Sequence, residues 1–144
     1  MMKFISKFAL LFVIVTIVYL IISRNFFSLS PFIVVTQVLA VALSVWARRS
    51  FQADQFSIQA EPKEGQLLLK GPYHFIRHPM YTAVLLLIWS GILGHFSAIN
   101  LVIGVIITGV VAIRITTEEA YLRTHYPDYP EYARMTKRII PLII

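Results

Sequence analysis

The run PMYTAVLLLIWSGILGHFSAINLVIGVIITGVVAI, from Pro79 to Ile113, contains no Asp, Glu, Lys or Arg. A single helix of that length, rising about 1.5 Å per residue, would overshoot a hydrocarbon core about 30 Å thick. The run is therefore expected to fold back on itself, with Gly91, Gly94, His95, Ser97 and Asn100 marking the turn. Ser90 and Gly94 on one arm, and Gly104 and Thr108 on the other, recur at helical spacing. Small side chains so placed let apolar helices approach closely.

Immediately upstream, Gly71-Pro72-Tyr73-His74-Phe75-Ile76-Arg77-His78-Pro79-Met80-Tyr81 gathers two prolines, two histidines, two tyrosines and an arginine. An ordinary membrane flank needs only a charge or two. Pro79 is expected at the first position of a helix, where its missing N–H costs nothing. The residues before it then face free amides and the positive end of the helix dipole, a setting that favours an anion.

Further out, Arg48 to Arg77 holds Asp54, Glu61, Lys63, Glu64 and Lys70 and reads as a long polar connector. Two more apolar runs precede it, Phe8 to Ser23 and Asn25 to Ala47, with Pro31 placed to start the second helix. The first resembles a signal peptide in outline. No small-residue cleavage pattern follows in Tyr19 to Phe27, so an uncleaved span is expected. After Arg114 the chain turns polar and aromatic, and Tyr129 to Arg138 is expected to form a short interfacial helix.

Composition agrees: 58% of residues are hydrophobic and 14% charged, against about 25% charged in soluble domains. The expected fold is an all-α integral membrane protein of about four transmembrane helices, the last two a helical hairpin. Residues 1–144 are expected to form one membrane domain, with two N-terminal spans in 1–47 and the connector, hairpin and C-terminal segment in 48–144. Four spans put both termini and the connector on one side. Of the 13 Lys and Arg, only Arg24 falls opposite, so the basic side is expected to be cytoplasmic. The net charge of +6 then reflects topology and anionic lipid, and no nucleic acid need be invoked. There is no cysteine, and the histidines at 74, 78, 95 and 125 form no metal-ligand pattern.

On the cytoplasmic rim this topology brings together the connector, the 71–81 motif and the end of the last span. Arg114 and Glu118, four apart, share a helix face. A helix start favouring anions beside a helix end favouring cations suits a zwitterionic ligand. Singly, each residue has a plainer reading: Arg77 as a flanking charge, His78 as a helix cap, Tyr73 and Tyr81 as belt aromatics, Arg114 with Glu118 as a surface ion pair.

The series Gly71-x-Tyr73, Arg77-His78-Pro79-x-Tyr81, a charge-free hairpin, Arg114, Glu118-Glu119, then Tyr129 and Tyr132 resembles the isoprenylcysteine carboxyl methyltransferase family, within the wider phospholipid methyltransferase superfamily. The resemblance covers roughly residues 45 to 141. It implies a membrane enzyme that binds S-adenosylmethionine at its cytoplasmic rim and methylates a lipophilic or prenylated substrate arriving from the membrane lipid. It places Gln59, Gln66, Leu67, Leu68, Tyr73, His78, Pro79, Met80, Tyr81 and Glu118 in the cofactor site and makes Arg114 the catalytic holder of the acceptor, with no metal. Two departures stand out: Ala83 where the family has glycine, and Tyr126-Pro127 in place of its Phe-Gly.

A carboxylate acceptor is already ionised at neutral pH and needs no general base. An amine acceptor, as in phospholipid N-methylation, would shed a proton, with His78 or Glu118 nearest. Two further readings are a membrane reductase using NADPH and a non-catalytic membrane adaptor.

Overall fold

A computed structural model describes residues 2–50 and 69–140, with side chains from Phe8 onward in the first helix. Among the described residues five helices follow one another: α1 Met2–Ile22, α2 Pro31–Arg49, α3 Pro79–Gly94, α4 Ala98–His125 and the short α5 Tyr129–Met135. A single 3-10 turn, Gly71–His74, precedes α3. No strand occurs among the described residues, only an isolated parallel bridge between Ile76 and Lys137.

Pro31 and Pro79 open α2 and α3 as expected from their missing amides. The long apolar run does fold back, after Gly94, through only His95, Phe96 and Ser97. Ser97 caps α4 by accepting from the Asn100 amide, while the Asn100 side chain donates to the His95 carbonyl at 2.8 Å. The arms run antiparallel. Trp89 and Ile92 lie against Gly104, the Trp89 indole donates to Thr108 Oγ1 at 3.0 Å, and nearer the open end Tyr81 reaches Arg114 and Glu118.

The small residues divide differently from the expectation. Gly104 and Thr108 serve the hairpin, since a Cβ on Gly104 would stand 2.8 Å from Ile92 Cδ1. Gly94 instead receives Ser28, and Gly91 the backbone of Asn25 and Phe26. Two small positions on α3 thus seat the α1–α2 loop. That loop starts where Arg24 adopts φ 57°, with Arg24 N–H donating to Ile21 O and Asn25 N–H to Leu20 O. This is the paired helix stop usually built on glycine. Arginine accepts the left-handed strain, and its charge lies beside the negative end of the α1 dipole.

α1 packs on α4 and α2 on α3, and α1, α3 and α4 share a core of Leu20, Ile88, Ile92 and Ile107. α2 buries only Ile33, Ala40 and Ala47, one seam seven residues apart, and leaves Phe32, Val35, Val38, Leu39 and Trp46 exposed. α2 and α4 are long and apolar enough to cross a membrane, yet only 17% and 28% of their apolar windows are buried. A soluble core helix hides such a surface, and its exposure here is consistent with a membrane protein. Two shorter apolar helices, Phe8–Ile22 and Pro79–Gly94, accompany them.

At the open end, Gly71 adopts φ +62°, and a Cβ there would meet Ser50 Oγ at 2.1 Å and Trp46 Nε1 at 3.3 Å. This glycine docks the motif on the end of α2. Gly71→Ala is expected to cost roughly 1–2 kcal/mol from the left-handed backbone, before any displacement of Ser50. A thermal midpoint unchanged from wild type in the same detergent would contradict that docking.

Candidate active site

Two successive helical residues project about 100° apart, so Glu118 and Glu119 cannot face the same partners. The charge-free part of α4 ends at Ile113, and both carboxylates sit beyond it. They organise two neighbouring clusters.

Glu119 is only 2% exposed and anchors the first. Its Oε1 accepts from Arg77 Nε at 3.0 Å and faces His78 Nε2 at 3.3 Å, while Oε2 accepts from Arg138 Nη2 at 3.0 Å and Nε at 3.1 Å. A carboxylate only accepts, so the proton on His78 belongs on Nε2. The Arg77 Nη1 donates to the carbonyls of Ala133, at 2.8 Å, and Thr136. Two guanidinium groups against one carboxylate leave a surplus positive charge, spread over those carbonyl oxygens. Backbone pairing joins the same pieces: Arg77 N–H donates to Lys137 O at 2.7 Å, His78 N–H to Arg138 O at 3.0 Å, and Lys137 N–H to Phe75 O at 3.2 Å.

The second cluster is a directed chain. Arg114 Nε donates to the Tyr81 hydroxyl at 2.5 Å, and that hydroxyl donates to Glu118 Oε2 at 2.7 Å. The guanidinium carbon also lies 5.4 Å from the Tyr81 ring centre. The His78 and Tyr81 rings are 5.5 Å apart, which makes the clusters neighbours. Tyr73 closes the site from the motif side, its carbonyl accepting from the Tyr132 hydroxyl at 2.7 Å. Pro79 at the first position leaves the amides of Met80 and Tyr81 without intrahelical acceptors.

Burial alone would push the Glu119 carboxyl up. Hydrogen bonds from His78, Arg138 and Arg77, with the positive charge of Arg77, outweigh it and lower the group from 4.5 to about 2. Burial, then the negative charge of Glu118, pushes the Tyr73 phenol up, which places Tyr73 in the field of that carboxylate. Burial also pushes Tyr132 up to about 12, against the lowering effects of Arg77 and the Thr136 hydrogen bond. Tyr129, 1% exposed, rises for the same first reason, and its hydroxyl has no hydrogen-bond partner among the described residues.

Tyr73, His78, Pro79, Met80, Tyr81, Arg114 and Glu118, singled out from the sequence, therefore stand together at one end of the helices. Gln59, Gln66, Leu67 and Leu68 lie outside the described residues. Arg77 has the plainer reading of a flanking charge, yet its side chain is 8% exposed and ion-paired. Glu119, Thr136 and Arg138 were not assigned roles from the sequence. The signal for Glu119 was present in the doubled glutamate, whose members must point different ways. α5 ends at Met135, short of the expected Arg138, because residues 136–138 leave the helix to pair with the motif.

The phospholipid methyltransferase family profile matches residues 26–129. Protein-S-isoprenylcysteine O-methyltransferase of Schizosaccharomyces pombe is 32% identical over 117 residues, 78% of this chain and 48% of that protein. The cobalt-zinc-cadmium resistance protein CzcN of Cupriavidus metallidurans is 31% identical over 80 residues, 55% of this chain and 37% of that protein. The chain thus spans less than half the length of each of these curated relatives. No solved structure matches it.

Proposed function

We infer, from the premise that this chain belongs to the phospholipid methyltransferase family, that it transfers a methyl group from S-adenosylmethionine to a lipophilic carboxylate at the cytoplasmic membrane face. The observation that carries this reading is the convergence of Arg114, Tyr81 and Glu118 beside His78 and the start of α3. Reading α1 to α4 as four spans leaves Arg24 opposite the basic rim, and that charge bias supports an inner-side location for the convergence.

The residues fit the cofactor by their chemistry. Glu118 offers a carboxylate for its amine or hydroxyls, the α3 amides face an anionic end, and the buried Tyr129 hydroxyl beside the Glu119 cluster is a donor still to be satisfied. His78, Pro79, Met80, Tyr81 and Tyr73 complete the proposed holding set, with Gln59, Gln66, Leu67 and Leu68 from the connector. When bound, S-adenosylmethionine supplies an electrophilic sulfonium methyl.

Arg114 orients the acceptor carboxylate through its guanidinium, whose plane is fixed by the bond to Tyr81. No residue needs to remove a proton, because the carboxylate is already ionised. Opposite charges cancel as the new bond forms, so excluding water from the rim favours transfer, and alignment by Arg114 contributes the rest. The isoprenylcysteine named for the fission-yeast relative is the substrate class this arrangement suits. An amine acceptor is the second reading, favoured by Glu118 as a cation-attracting group.

Calorimetry on the detergent-solubilised chain should detect S-adenosylmethionine and not NADPH. Membranes given methyl-labelled cofactor should yield a labelled lipid that releases its label as methanol in alkali, since esters hydrolyse and N-methyl groups do not. Alkali-stable label would move the assignment to the amine, and absence of cofactor binding would overturn it.

A further inference from the structure

The hairpin is closed at one end by its turn. At the other, a segment from the far side of α5 returns to hold it. Residues 136–139 lie along the motif, with Arg77 and His78 donating to Lys137 and Arg138 carbonyls and Thr82 Oγ1 donating to Ile139 O at 2.9 Å. Thr136 is buried, and Arg138 crosses back to grip both oxygens of Glu119.

We propose that residues 136–139 form a strap over the cofactor side of the rim, with Arg138 as its latch and a positioning residue for cofactor binding. The proposal rests on the methyltransferase reading above. Arg138 acts through Glu119, because the carboxylate it grips is the one facing His78 Nε2 and therefore sets the orientation of that ring. It also acts through the backbone, because the strap occupies the His78 amide and carries Thr82, so the first turn of α3 is fixed by a segment some 60 residues away. The latch is the most exposed member of the cluster: its side chain is 42% exposed, against 8% for Arg77 and 3% for Glu119. It can therefore open without unfolding the helices.

The test compares full-length wild type, Arg138→Ala and Arg138→Lys in detergent. Loss of a charge-assisted pair should raise the S-adenosylmethionine dissociation constant and its KM about tenfold in Arg138→Ala, with kcat and the acceptor KM held within about twofold. The amides of Arg77 and His78 should exchange hydrogen faster in that variant, and Arg138→Lys should recover part of both effects. Cofactor affinity equal to wild type in Arg138→Ala, or loss of kcat without change in KM, would overturn the strap while leaving the methyltransferase reading in place. Failure of the wild-type chain itself to bind cofactor would overturn both.

Discussion

Arg114→Ala is expected to lower methyl transfer by about 100-fold or more while leaving S-adenosylmethionine affinity within about threefold, the pattern of a group that acts on the reacting end alone. Arg114 stands one turn before Glu118 on α4, with its Nε on the Tyr81 hydroxyl and its charge over the Tyr81 ring. Removing it leaves the Tyr81–Glu118 bond, the His78–Glu119 contact and the opening turn of α3 intact, so the proposed cofactor groups stay where they are. Arg114→Lys should not restore turnover, because an ammonium cannot hold a carboxylate by two parallel hydrogen bonds. Single-turnover kinetics with labelled cofactor, paired with calorimetry, separate the two parameters. Wild-type turnover in Arg114→Ala would remove its assigned role.

The second large effect is expected at Glu119. Among the described residues its carboxylate is the acidic partner of both Arg77 and Arg138, and Arg77 is nearly as buried as Glu119 itself. Glu119→Gln leaves the buried Arg77 guanidinium without its carboxylate, a change that costs roughly 3–5 kcal/mol. The lowered pKa of the same carboxyl, set by these same contacts, gives a comparable scale. A carboxyl lowered from 4.5 to about 2 on folding contributes on the order of 3 kcal/mol when ionised in both states. The sign follows from the lowered value: this stability is complete above about 4.5 and is lost as pH falls through about 2. Thermal unfolding of wild type and Glu119→Gln should therefore differ most at neutral pH and converge as pH drops from about 4.5 towards 2. A gap that stays constant across that range would mean the carboxylate is not what holds Arg77 and Arg138 in place.

The two glutamates also mark where reading the chain in one dimension stops. Charge-free length, proline at first helical positions and the clustering of Gly91, Gly94, Ser97 and Asn100 are local properties, each acting within a few residues. They suffice for the helices, the turn of the hairpin, and the meeting of the 71–81 motif with Arg114 and Glu118 at one end. Gly94 shows the limit already within the hairpin. Its size was legible, but its partner is Ser28 rather than the facing helix.

Legible from the residues alone were the apolar helices and the meeting of the histidine–tyrosine motif with the arginine–glutamate helix end, because helix period and apolar length are set by the backbone and the solvent. Which glutamate is buried emerged from three-dimensional packing, since that depends on the rotation of α4 about its own axis. One residue of difference turns a side chain by about 100°, and Gly104 packs on Trp89 and Ile92 across the hairpin on that same helix. Long-range packing likewise lays residues 136–139 on the motif, because backbone pairing between Ile76 and Lys137 is a contact across about sixty residues that no local pattern encodes.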